Sequence, residues 1–340
     1  MWKFIIKSIF FLSPFVFLYF FIPYFYAVDQ GDLYRMGYFH REDNYRAQFG
    51  NDLHDIELST NLTFIDTCTN KSKLSILVIG DSFSEWRGFS FHNYLAKDDT
   101  ISVFYEIGGN PVENLYAIAN GDFFDKIPID YVILESVERG FPARANLNPD
   151  SQISLSEIKQ TVKKKPDRFR KNVPLNNCVV KYFGINIYRL FKKGCVSGVY
   201  DFEATKPVFT THRENRLLVF EMDIYHLPEN SDTTNILKLN DVLNHLSGLI
   251  SEKGSKLIVL PAPDKYSVYH DYIKDREKNP QPVFFDILKL PEKQYIYIES
   301  NDILKNAVSS GIKDIYFADD THWSPVGAKL IADAVRSKLK

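Results

Sequence analysis

An α/β fold on a parallel sheet is the class the sequence predicts, and three observations carry it. Ser75-Ile76-Leu77-Val78-Ile79 is apolar at nearly every position, as in a central strand covered on both faces rather than one with a wet side. Four further strand-like runs follow, and helical patterns at 89–96, 111–121, 236–252 and 301–309 stand among them, the alternation of a doubly wound sheet. The chain has 340 residues, 45% hydrophobic and 25% charged, which supports a large core and excludes both a small disulfide scaffold and a disordered chain. With 41 Lys+Arg against 43 Asp+Glu the net charge is -2, so no general basic surface for nucleic acid is expected.

Taken in order, the first element is Ser8–Val28, an uncharged run rich in Phe and Tyr. As a helix rising 1.5 Å per residue it has the length to cross a hydrocarbon core of about 30 Å. Lys3 and Lys7 precede it and Asp29 follows, which predicts a transmembrane anchor at 8–28 with a cytoplasmic N-terminus. The expected location is therefore the cytoplasmic membrane, single-pass, with the rest of the chain on the periplasmic or extracytoplasmic side. A cleaved signal peptide is the competing reading, but cleavage after Ala27 would put bulky Phe25 at a position that wants a small residue. Residues 30–70 read as a juxtamembrane segment with a small strand at Leu62-Thr63-Phe64-Ile65.

The domain proper is expected over 71–340. After the 75–79 strand, which runs into Gly80-Asp81-Ser82, come Ile101–Ile107 leading to Gly109 and Asn110, Tyr131–Leu134 leading to Glu135-Ser136, Lys256–Leu260, and Tyr295–Ile298. The interval between the third and fourth of these strands, about 120 residues, is far too long for a crossover. An insertion at about 141–215 is therefore expected, holding the basic run KKKPDRFRK at 163–171 and an amphipathic stretch from Val179 to Phe191. The three cysteines, Cys68, Cys178 and Cys195, are too scattered for a metal site, though Cys178 and Cys195 could form one disulfide outside the cytosol.

Two segments carry reactive residue types. Ser82 follows a buried strand, so it would stand at the carboxyl edge of the sheet, where open α/β folds place ligands. Near the other terminus lies Asp319-Asp320-Thr321-His322-Trp323, followed by a last helix from Ala328 to Leu339. A serine hydroxyl needs a base to accept its proton, and a neutral imidazole needs a carboxylate to fix its tautomer. Ser82, His322 and either Asp319 or Asp320 supply those three roles. No clustered ligand set and no nucleotide-binding fingerprint is present, so neither metal nor cofactor is expected.

The pair GDSF and DDTHWSPVGAKLIADAV resembles the SGNH/GDSL hydrolase superfamily, which implies Ser-His-Asp acyl transfer on a flavodoxin-like three-layer sandwich. The DTHW phrase and PAPDKYSVYHDYI at 261–273 are similar to the cell-envelope polysaccharide O-acetyltransferases related to the alginate acetylation proteins. That resemblance implies Ser82 as nucleophile, His322 as base and Asp320 as its partner, whereas the broader superfamily spacing would select Asp319. Ser82 precedes the histidine segment, the reverse of the alginate-type order. The superfamily's asparagine after the third strand is replaced by ESVERG at 135–140, which leaves Gly109 and Asn110 as further oxyanion candidates. Arg139 could hold an acidic substrate group or pair with Glu135 or Glu138. For Asp264 and Lys265 a loop-structuring salt bridge is expected.

The function so implied is O-acetyl transfer to an envelope polysaccharide, the acceptor glycan and a membrane acyltransferase supplying acetyl groups being the expected partners. A carbohydrate esterase or deacetylase uses the same residues with water as acceptor. An inactive glycan-binding or assembly scaffold is the reading from outside enzymology, favoured by the absent asparagine.

Overall fold

The buried runs of the sequence form the strands, as a computed structural model shows. It describes residues 2–25, 31–35, 45–49, 62–64, 75–85, 89–96, 99–105, 109–164, 187–188, 191 and 194–339. The strands among these are β1 (Leu62–Phe64), β2 (Ser75–Gly80), β3 (Thr100–Tyr105), β4 (Tyr131–Val137), β5 (Val199–Glu203), β6 (Arg216–Phe220), β7 (Lys256–Ala262) and β8 (Ile296–Tyr297). Six of them make one sheet in the order β1-β3-β2-β4-β7-β8, and every pairing in it is parallel. With β1 set aside as an added edge, this is the 2-1-3-4-5 doubly wound order. The chain reverses its direction of winding between β2 and β4, so the crevice of such a fold opens where those two strands end.

Alternate residues explain the three layers. Ile76 and Val78 of β2, Ile133 of β4 and Ile258 of β7 enter one core with Leu304 and Val308 of the helix Ser300–Ser309 and Ile331 and Val335 of the helix Pro325–Arg336. Leu77, Ile79, Val132, Leu134 and Val259 enter the opposite core, against the helices Pro111–Asn120 and Thr233–Glu252. A period of two along strands buried on both faces requires this division. The helix Thr233–Glu252 starts at Asp232, whose Oδ1 accepts from the amides of Thr234 at 2.8 Å and Asn235 at 3.4 Å.

The insertion expected at 141–215 contains the helix Leu155–Lys164 and contributes β5 to an antiparallel pair with β6. The second strand of that pair begins just past the expected boundary. Most of the basic run at 163–171, most of the 179–191 stretch, and both Cys68 and Cys178 lie outside the described residues.

One expectation is corrected. Among the described residues no helix is long and apolar enough to cross a membrane. The transmembrane anchor at 8–28 therefore falls, and with it the membrane as a partner and the single-pass location in the cytoplasmic membrane. The helix Trp2–Phe25 covers part of that run, but its side chains are described only to Phe17. The composition-based reading counted through to Val28 and across both Pro14 and Pro23.

The Asp232 cap gives a stability test. Asp232→Ala is expected to lower the unfolding free energy by about 1 kcal/mol with an unchanged denaturant slope, and Asp232→Asn to restore most of it, both read by urea titration.

Candidate active site

Strand β2 delivers its last residues to the reversal point, and a network of buried charge shapes the turn there. Gly80 is required by close approach: a Cβ on it would stand 2.2 Å from Ser84 Oγ and 2.5 Å from Glu135 Oε2. Glu135, from β4, accepts from the Asp81 amide at 3.0 Å and from Ser84 Oγ at 2.8 Å through the same oxygen. Asp81 in turn accepts from the Val137 amide at 2.9 Å and the Arg144 guanidinium at 2.8 Å. Burial, reinforced by the Asp81 charge, pushes the Glu135 carboxyl well above its ordinary range. Burial would raise Asp81 too, but Arg144 and the Val137 amide hold it below its usual value. The two carboxyls thus tie the turn to the neighbouring strand, and half-buried Ser82 stands on it at the start of the turn Ser82–Ser84.

The histidine arrives from the other terminus on a loop folded back over the sheet. His322 Nδ1 lies 2.6 Å from Asp320 Oδ1, and the His322 amide donates to that same oxygen at 3.1 Å. An ionised carboxylate only accepts, so Nδ1 carries the proton and Nε2 is the basic nitrogen of the neutral ring. Nε2 is buried and has no partner among the described residues. The ring packs on Phe83, the residue after Ser82, with centroids 4.9 Å apart. Ser82 and His322 line one small cleft of about 20 Å³, walled by Phe83, Phe89, Phe91 and Trp323.

The remaining expected residues separate clearly. Asp319 does not face the imidazole; its Oδ2 accepts from the Gly31 amide at 2.8 Å, so of the two aspartates Asp320 is the one on His322. The Asn110 side chain caps the helix Pro111–Asn120, its Oδ1 accepting from Val112 and Glu113 and its Nδ2 donating to the Arg144 carbonyl. Gly109 is half-buried just before that cap. Arg139 pairs with neither Glu135 nor Glu138: it donates to Asp264 at 2.6 Å and Asp223 at 3.1 Å. Lys265 leaves Asp264 to Arg139 and instead donates to the carbonyls of Phe317, Ala318 and Asp320.

Sequence reasoning missed two contributors. Arg144, which braces Asp81 and also donates to Ser136 Oγ, lies in the turn Pro142–Ala145 and gave no motif. Asp32 approaches His322 Nδ1 at 3.8 Å from the segment assigned to a mere connection. Asp32, Asp320 and His322 bring three donor atoms within 4.8 Å, but the hydrogen bonds of Asp320 to the imidazole and of Asp32 to Thr321 already engage those atoms.

Residues 222–340 match the family described as SGNH hydrolase-like domain, acetyltransferase AlgX. The match takes in Asp320 and His322 and leaves Ser82 outside it. A search of curated proteins finds no relative of the chain.

The charge cluster below Arg139 predicts a pH dependence. Glu138 accepts from the Asp264 amide at 2.8 Å and Ser267 Oγ at 2.7 Å, yet burial pushes its carboxyl up to about 7. A raised folded-state pKa stabilises below the unfolded value and loses that contribution as pH rises through 7. Glu138→Gln mimics the protonated form. Between pH 5 and 8 the parent should lose about 2 kcal/mol more unfolding free energy than this variant, measured by denaturant titration.

Proposed function

We propose that the protein transfers acetyl groups to a polysaccharide hydroxyl through an acyl-enzyme on Ser82. The observation that carries the reading is the pairing of His322 with Asp320 at 2.6 Å beside a buried, unpartnered Nε2, in the cleft that Ser82 also lines. The family match supports the histidine side of the site, and the architecture of the β2 turn supports the serine side.

In this reading Ser82 Oγ attacks the acetyl carbonyl while Nε2 takes its proton, and Asp320 balances the imidazolium that forms. Among the described residues no hydrogen bond joins Ser82 to His322, and such contacts commonly tighten only when substrate fills the site. The tetrahedral oxyanion would be held by main-chain amides, Ser82's own and that of Gly109 or Asn110, since the Asn110 side chain is engaged as a helix cap. Collapse expels the donor's leaving group, which takes the proton back from His322. A glycan hydroxyl then repeats the sequence in reverse, giving up its proton to Nε2 as it attacks the acyl-enzyme. The aromatic-walled cleft has room for little more than a water molecule, so an acetyl donor would have to part its walls, and a bulky acceptor would approach from its open side.

The test uses the full chain with a chromogenic acetyl ester, followed by intact-mass measurement with and without polysaccharide. Ser82→Ala and His322→Ala should each reduce turnover about a thousandfold or more, with the double variant no worse than either, as expected of residues acting as a unit. Asp320→Asn should cost at least about a hundredfold. A single acetyl group should remain on the parent and disappear on adding an acceptor glycan. Undiminished turnover in Ser82→Ala would sink the reading, and prompt release of acetate to water with no glycan acetylated would make the protein an esterase.

A further inference from the structure

The chain ahead of the sheet lies across the histidine loop. The Gly31 amide donates to Asp319 Oδ2 at 2.8 Å and the Leu33 amide to the Asp319 carbonyl at 3.1 Å. Approach is so close that a Cβ on Gly31 would stand 2.1 Å from that carbonyl oxygen. Leu33 is buried against Val199 and Leu218, so the short helix Asp32–Arg35 is moored to the β5–β6 pair as well. Between these anchors Asp32 turns its carboxylate to the loop. Oδ1 accepts from the Thr321 amide at 2.9 Å, Oδ2 from Thr321 Oγ1 at 2.5 Å, and Oδ2 stands 3.8 Å from His322 Nδ1.

We propose that Asp32 is a positioning residue of the His322–Asp320 pair, holding Thr321 in place and setting a second carboxylate beside the imidazole that becomes cationic when Ser82 gives up its proton. This rests on the reading of His322 as the base. With a neutral ring, two carboxylates stand close together in a largely enclosed site, and burial followed by the Asp320 charge raises the Asp32 carboxyl above its ordinary value. Proton transfer to Nε2 places a positive charge against both and relieves that repulsion. Among the described residues the other charged groups around the site are Asp319 on the same loop, Lys265 beneath it, Asp223 on the helix Glu221–Tyr225, and Glu85 on the cleft wall. Of these, Lys265 is bound to loop carbonyls, while among the described residues Asp32 is the carboxylate other than Asp320 that comes within 4 Å of Nδ1.

Asp32→Asn separates the charge from the scaffold, because its amide oxygen still accepts from the Thr321 amide and its amide nitrogen faces a hydroxyl that accepts as well as donates. In the full chain this variant should unfold close to the parent's midpoint, keep KM within about twofold, and lose about tenfold in kcat. The acid limb of its kcat/KM profile should move to lower pH by about half a unit or more, since the lost negative charge no longer favours the protonated ring. Asp32→Ala should lose more activity and also some thermal stability. Superimposable parent and Asp32→Asn profiles overturn the proposal, and so does a uniform fall in rate with the acid limb unmoved. A second readout separates this from the function itself. If Ser82→Ala retains full turnover, the base assignment fails, yet NMR titration of the His322 ring still tests the coupling. The ring should then titrate at lower pH in Asp32→Asn than in the parent, and identical titrations refute the role of Asp32.

Discussion

A single buried ammonium holds the histidine loop in the shape on which the site depends. The backbone from Phe317 to Asp320 turns three carbonyls inward, and Lys265 Nζ meets them at 2.7, 3.1 and 3.2 Å, one donor hydrogen for each. Each of these carbonyls, buried without a partner, would cost about 1–3 kcal/mol, so no apolar residue could close the same loop. Burial lowers the Lys265 amine to about 8 in spite of Asp319, Asp320 and Asp32 nearby, and the Phe209 ring lies 4.9 Å beneath it. Downstream, Ser324 caps the last helix and Pro325 begins it, while Gly327 passes so close to the Ile315 carbonyl that a Cβ would lie 2.3 Å from it. The loop is therefore closed from below by Lys265, from its exit by this helix, and from above by the 31–35 segment.

The sheet accounts for the meeting of residues so distant in sequence. Parallel strands all end on one edge, and the reversal of winding between β2 and β4 leaves a crevice beside the end of β2. The Gly80 approach to Glu135 locks the turn to β4, so Ser82 has little freedom to follow the loop, and it is the loop that must be brought to the serine. The Phe83–His322 and Phe83–Trp323 ring contacts, at 4.9 and 4.7 Å, are where the two halves join.

What the sequence made legible follows from the range of the forces involved. Continuous apolar runs flagged β2, β3, β4 and β7 because a strand covered on both faces has no alternative composition, and the helix at 236–252 was found for the same periodic reason, starting only three residues later than Thr233. The β5–β6 pair was not, since β5 alternates buried and exposed residues within an interval that reads as loop. Choosing between Asp319 and Asp320 depended on which carboxylate the Gly31 amide occupies, a contact with a residue 288 positions away. Asp32 and Arg144 lacked any local signature for that reason too: their meaning lies entirely in what the fold brings to them. The anchor at 8–28 was read from an uncharged run and the charges flanking it, whereas no helix among the described residues is long and apolar enough to cross a membrane.

The ESVERG segment at 135–140, where the resemblance leads to the expectation of an asparagine, also acquires a physical meaning. A donor side chain at that point would serve an oxyanion, whereas Glu135 points its carboxyl back beneath the serine turn, where burial and the Asp81 charge raise its pKa well above the ordinary range. Were Glu135 ionised, its charge and that of Asp81 would stand together in a buried site with Arg144 as their neighbouring cation. Arg144 is bound to Asp81, whose carboxylate also accepts from the Val137 amide. The side chains of this segment are thus engaged in holding the turn. In the proposed reaction, transition-state charge would be met by main-chain amides, whose directions the held turn fixes before any substrate arrives.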